Sequence, residues 1–249
     1  MAGHSKWKQI KRKKAVTDAR RASAWTKIIR EITVAAKAGG GDPDGNPRLR
    51  LAVDSARAVN MPKENIERAI KKGTGELEGA AFEELTYEGY GPGGAAIFIE
   101  TTTDNANRTV AEIRHAFSRN GGNLGASNSV AWMFDRKGQI YLDATRLDED
   151  ATLEAALEAG AEDFVHEGDQ YVVTTSPAAF HAVQDALRAR KVPVDSAELA
   201  MVPKNTVKVE GADAERILKL VEALEELEDV SKVFSNFDID AAQLAEAEA

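Results

Sequence analysis

The hydrophobic rhythm of the chain changes at about residue 82. Before that point apolar residues recur three and four positions apart, as on one face of a helix. Beyond it they alternate with polar ones, as in half-buried strands, broken by a few longer helical stretches. A chain patterned this way folds as a helical segment followed by mixed α/β structure, so the expected class is α+β.

Three helices are expected in the first part. The first runs from about Asp18 to Ala38, with Trp25, Ile28, Ile29, Ile32 and Ala36 on one stripe and a stop at Gly39-Gly40-Gly41. Asn46 reads as the N-cap of a second helix and Pro47 as its first residue, with Leu49, Ala52, Val53 and Ala56 inward. Pro62 opens a third, which ends at Gly73. The later strands are expected at 83–88, 95–102, 128–134, 138–143, 161–166, 170–175, 194–202, 205–210 and 229–236. The later helices are expected at 104–119, 147–159, 177–190 and 213–227. The stretch 138–202 reads β-α-β-β-α-β, the order of a ferredoxin-like domain. The pieces on either side of it are expected to pair into one discontinuous α/β domain. The expected division is a basic arm 1–21, a helical bundle 22–75, an α/β domain 80–135 plus 204–238, an inserted ferredoxin-like domain 138–202 and a tail 239–249.

Charge divides along the same line. Residues 1–75 hold 18 Lys and Arg against 7 Asp and Glu, a balance of +11. The remaining 14 and 34 give −20, and the whole is −9. A basic head on an acidic body suits a polyanion-binding segment carried by a module that polyanions avoid. The density is greatest in Lys6, Lys8, Lys11, Arg12, Lys13, Lys14, Arg20 and Arg21, opposed only by Asp18. Trp7 adds one stacking surface to that arm, and Lys27 and Arg30 continue the charge along the first helix. The expected partner is nucleic acid, gripped through phosphates. Arg108, Arg114 and Arg119 form a secondary basic patch on helix 104–119, where ordinary ion pairing is the competing reading.

Other classes find little support. There is no cysteine, hence no disulfide, thiolate metal site or Cys nucleophile. No run of about 18 apolar residues occurs, and no apolar h-region follows the basic N-terminal segment, so neither a membrane span nor a secretory signal is expected. The expected location is the cytoplasm, without a membrane partner. Gly89, Gly91 and Gly94 in EGYGPGG fit the G-x-G-x-x-G spacing of a pyrophosphate loop, but a strand and not a helix follows, and Pro92 removes one N–H donor. The loop reads instead as a hairpin connection, with Tyr90, Gly91 and Pro92 as a possible partner contact. P-loop, nucleophile-elbow and H-E-x-x-H patterns are missing, and His4, His115, His166 and His181 show no ligand spacing. No catalytic residue, metal or cofactor is expected, and an enzyme is not.

Several strings together resemble the YebC family: MAGHSKW, WTKIIRE from Trp25, GGGDP from Gly39, NPRLR from Asn46, NMP from Asn60, YEGYGPGG from Tyr87, NRTVAE from Asn107 and GGNLG from Gly121. The resemblance runs from residue 2 to about 238. It implies a helical N-terminal domain and two α/β domains with a cleft between them. It further implies a DNA-binding transcriptional regulator or, as in the related mitochondrial translational activator, a ribosome-associated factor that contacts ribosomal RNA and eases synthesis of stretches such as proline runs. No enzyme is implied.

Overall fold

The structure, a computed structural model, describes residues 18–79 and 81–240, with side chains from residue 23 onward. The chain divides into two compact units, Met1–Met133 with Pro203–Ala249, and Phe134–Val202. It is an α+β protein in which the second unit interrupts the sequence of the first.

The first unit begins with α1 (Asp18–Gly39), α2 (Pro47–Ala58) and α3 (Lys63–Gly73). Ile32, Ala35, Ala36, Leu49, Ala52, Val53, Ala56, Met61, Ile66 and Ala69 make their common core, with Trp25, Ile28 and Ile29 packed against it. Asn46 turns the corner between α1 and α2. Its Oδ1 accepts the Leu49 N–H at 3.1 Å, while Nδ2 donates to the carbonyls of Ala35 and Gly40 at 2.8 and 2.9 Å. One buried amide thus satisfies the start of one helix and the end of another. Gly73 allows α3 to close on α1: a Cβ there would lie 2.4 Å from the Thr33 carbonyl oxygen.

The same unit continues with β1 (Glu83–Tyr90), β2 (Ala96–Thr103), α4 (Ala106–Arg119) and β3 (Asn123–Leu124). After the second unit it resumes with β8 (Val207–Lys208), α7 (Gly211–Glu226), β9 (Val230–Ser235) and β10 (Phe237–Asp238). Its sheet has the order β3-β1-β2-β9, and β8 pairs separately with β10. Ile97 and Ile99 of β2, Ile113 and Phe117 of α4, Ile217, Leu220 and Val221 of α7 and Val233 of β9 fill one core beneath the sheet. Each such side chain, taken out of water, contributes about 1.5–3 kcal/mol.

The second unit contains β4 (Phe134–Asp143), α5 (Glu149–Ala159), β5 (Asp163–Glu167), β6 (Gln170–Thr175), α6 (Phe180–Ala189) and β7 (Ser196–Pro203), whose last residue lies beyond the unit's edge. The sheet order β5-β6-β4-β7 is that of a ferredoxin-like fold. Ile140, Leu142, Val173, Phe180, Val183 and Leu187 are fully buried in it.

Two expected strands differ. Residues 128–133 do not extend: they turn and close in a 3-10 turn at Ala131–Met133, and the strand starts only at Phe134. The N–H groups of Asn128, Val130 and Ala131 are taken by the carboxylate of Glu88, not by a neighbouring strand. The expected strand 205–210 shrinks to Val207–Lys208. Asn105 caps α4 by accepting the Arg108 N–H at 3.1 Å.

Candidate nucleic-acid interface

The expected basic site falls into three groups. Lys6, Trp7, Lys8, Lys11, Arg12, Lys13 and Lys14 lie outside the described residues, and Arg20 and Arg21 stand on α1 with side chains that are likewise outside them. Lys27 and Arg30, next along α1, face the α/β part of their own unit. Lys27 donates its ammonium to the Glu225 carbonyl. Arg30 is 8% exposed and donates to Asp229 Oδ1 at 2.6 Å, to the carbonyls of Glu228 and Thr102 at 2.9 and 3.2 Å, and to the Glu228 carboxylate. These donors are occupied in docking the bundle, which corrects the expectation that Lys27 and Arg30 lie open to phosphate.

Asp229 is the centre of that dock. It is 2% exposed and also receives Arg108 Nη2 at 2.7 Å, Thr109 Oγ1 at 2.7 Å and Thr103 Oγ1 at 3.1 Å. Burial alone raises a carboxylate's pKa, but hydrogen bonds from Arg108, Thr109, Arg30 and Thr103 outweigh it and hold Asp229 below the ordinary value. Arg108 bonds Asp104 as well, at 2.8 Å. Of the secondary basic patch, then, Arg108 is an ion-pairing residue. Arg114 and Arg119 are exposed and carry no ion pair among the described residues. Arg48 adds a second tie, donating to Glu31 Oε1 at 2.8 Å and to Glu84 Oε2 at 3.0 Å on β1.

What the bundle leaves open is a set that the expected site did not include. Lys37 at the end of α1, and Arg68, Lys71 and Lys72 on α3, are exposed and have no ion pair among the described residues. Lys37 and Lys72 flank the close crossing at Gly73, whose added Cβ would come within 3.1 Å of the Lys37 amide nitrogen. The signal was present in Lys37 at the end of α1 and Arg68, Lys71 and Lys72 on α3, masked by the denser run before them.

The glycine loop is filled by the protein itself. A Cβ on Gly91 would lie 2.2 Å from Ile217 Cδ1, and one on Gly93 3.0 Å from Val209. Pro92 is buried, the Gly91 N–H donates to the Ala95 carbonyl at 2.8 Å, and β2 follows directly. A pyrophosphate has neither room nor a helix N-terminus here.

Beside this loop stands an aromatic pair. Tyr90, at the end of β1, is 37% exposed, and Trp132 is 63% exposed. The Tyr90 hydroxyl and the Trp132 indole N–H both donate to the Ser129 carbonyl, at 3.0 and 3.1 Å. The loop bearing that carbonyl is fixed from below by buried Glu88, whose carboxylate accepts three backbone N–H groups at 2.7–2.8 Å. Trp132 escaped sequence reading because it was assigned to a strand. Among the described histidines, His166 lies 3.0 Å from the Glu149 carboxylate and His181 lies against Phe180. Among the described residues no group of three His, Cys, Asp or Glu is placed to hold a metal, and no helix is long and apolar enough to cross a membrane.

Comparison with known proteins places this architecture. Residues 5–76 match the model of the TACO1/YebC protein N-terminal domain, and residues 82–237 that of the TACO1/YebC second and third domain. A protein of Gemmatimonas aurantiaca, named "Probable transcriptional regulatory protein", is 61% identical over 247 residues, covering 99% of this chain and 100% of that one. A similarly named protein of Geobacter sulfurreducens is 55% identical, covering 98% of each. The crystal structure of a conserved hypothetical protein from Aquifex aeolicus superposes with a TM-score of 0.84 at 48% identity, covering 90% of this chain and 92% of that one. The chain belongs to the TACO1/YebC family.

Proposed function

We propose that the protein is a non-enzymatic, DNA-binding regulator of transcription that acts in the cytoplasm. The basic segment of residues 6–21 and the exposed cations Lys37, Arg68, Lys71 and Lys72 would grip phosphates, while the acidic remainder is left for protein partners. The observation that carries this reading is the division of charge, +11 before residue 76 and −20 after it. Phosphate neutralisation releases counterions, so binding is favourable and falls steeply with salt. The names of the relatives agree with a regulator.

A second reading keeps the same grip but places it on ribosomal RNA. The same division of charge serves it, because phosphate is common to both polymers.

The test is a titration of a DNA duplex at several salt concentrations, with Lys11, Arg12, Lys13 and Lys14 replaced together by Gln in the full chain. The log–log salt slope is expected to shrink by about 3.6, at about 0.9 per lost phosphate contact. An unchanged slope and affinity refute the reading. Crosslinking in cells then sorts DNA from ribosomal RNA as the target.

A further inference from the structure

From residue 76 onward carboxylates outnumber cations by 34 to 14, so a cation there has little difficulty finding a partner. Surface cations such as Lys137, Arg190 and Lys208 meet carboxylates at 2.7, 2.6 and 2.5 Å. Among the described residues of this part of the chain, three cations have side chains with neither a hydrogen bond nor an ion pair: Arg114, Arg119 and Lys191. Lys191 stands in the other unit, just beyond α6. Arg114 and Arg119 share α4, five residues and about 7.5 Å apart along its axis.

Their surroundings explain why no carboxylate claims them. Residues 113–134 carry no Asp or Glu, the longest such run after residue 75. Glu88, which reaches into the loop after β3, spends its carboxylate on the N–H groups of Asn128, Val130 and Ala131. Glu112 precedes Arg114 by two residues, a spacing at which helical side chains do not face each other. One turn separates Arg114 from Ser118 and His115 from Arg119, and all four are exposed. Arg119 in the last turn also faces the negative end of the helix dipole, which an exposed cation can do without a partner. Arg114 lies more than a turn earlier and has no such role.

We propose that the outer face of the C-terminal half of α4 is a second phosphate contact, in which Arg114 and Arg119 take the backbone of a bound nucleic acid. The planar guanidinium matches phosphate with two parallel hydrogen bonds, and the Ser118 hydroxyl adds a neutral donor one turn from Arg114. A carboxylate would fit the same fork. An acidic protein, however, would approach a body of charge −20 with nothing else to hold it. A nucleic acid held elsewhere on the chain arrives at high effective concentration. The proposal rests on the nucleic-acid reading but not on the basic segment that carries it, and it gives the acidic body a contact of its own.

The test titrates the full chain with a DNA duplex and an RNA hairpin of equal length at several salt concentrations. Replacing Arg114 and Arg119 together by Gln removes two phosphate contacts, so the log–log slope on the duplex is expected to shrink by about 1.8. The affinity advantage of wild type over this variant then falls about twelvefold between about 50 and 200 mM salt. The urea midpoint should not move, since neither side chain has a partner to lose. Replacing both by Lys keeps the charges and should keep the slope. A smaller slope on either polymer supports the contact and shows which polymer supplies the phosphates. Slopes unchanged by the Gln pair on both polymers overturn it, as does a Lys pair that behaves like the Gln pair. An equal shrinkage per charge in Lys191→Gln also overturns it, because the effect is then one of net charge. So does binding of a poly-Glu peptide that the Gln pair abolishes while both slopes are intact, which assigns the arginines to an acidic protein. The chain with Lys11, Arg12, Lys13 and Lys14 replaced separates the two contacts. If it keeps the wild-type slope while the Gln pair loses about 1.8, the reading of the basic segment fails and the α4 contact stands. Wild-type chain that binds neither polymer overturns both.

Discussion

Arg30 separates two kinds of basic residue that look alike in a sequence. Replacing it by Ala removes four hydrogen-bonded partners at once: Asp229 Oδ1, the carbonyls of Thr102 and Glu228, and the Glu228 carboxylate. Taking one partner from a buried ion pair costs about 3–5 kcal/mol when the other charge is left alone. Asp229 is not left alone, since Arg108, Thr103 and Thr109 still donate to it. Glu228 is mostly exposed and regains water. The expected loss is therefore at or below the lower bound of that range, about 2–3 kcal/mol, read as a shift in the urea midpoint at pH 7. The effect depends on pH with a definite sign. Asp229 has a depressed pKa in the folded state, so its contribution is complete above the unfolded value of about 3.9 and is lost as pH falls through the lower folded value. The gap between wild type and Arg30→Ala should narrow as pH drops below about 4. The same variant, titrated with duplex, should keep the wild-type salt slope. A stability change under 0.5 kcal/mol together with a slope smaller by about one would mean that Arg30 is a phosphate contact, and the docking argument would fail.

Other perturbations follow from the same geometry. Asn46→Ala removes a cap and leaves the Ala35 and Gly40 carbonyls without their donor, for an expected loss of about 2–3 kcal/mol in denaturant unfolding. Gly73→Ala puts a methyl 2.4 Å from a backbone oxygen that cannot swing aside, so about 1–3 kcal/mol and a lower Tm are expected. Glu88→Gln exchanges one acceptor oxygen for an amide N–H facing a backbone donor. It should cost about 1–3 kcal/mol and make Trp132 more mobile, visible as lower tryptophan fluorescence anisotropy. Arg119→Gln on the exposed end of α4 should leave stability within about 0.5 kcal/mol, because no ion pair is lost there.

The elements whose signals are local were legible in the sequence. Asn46-Pro47 marks the start of α2 because a cap acts on residues one turn away, and the stripe Trp25–Ala36 marks α1 because its period is a property of the segment alone. The β-α-β-β-α-β order of residues 134–203 was readable for the same reason, and β7 needed no knowledge of which strand it joins. What failed was decided at a distance. Residues 128–134 carry strand-like residue types, yet a carboxylate forty positions earlier claims their N–H groups, and a side chain reaching backward leaves no periodic trace. Charge behaves alike. Lysine and arginine count equally in any running sum, but Arg30, Arg48 and Arg108 each meet a carboxylate from a distant part of the chain, while Lys37, Arg68, Lys71 and Lys72 meet none among the described residues. A cation's availability for phosphate is thus a tertiary property. The segment balance of +11 survives as an argument only for the cations that folding leaves unclaimed. Tyr90 and Trp132 make the converse case: two residues forty-two apart are brought together because a single carbonyl accepts from both.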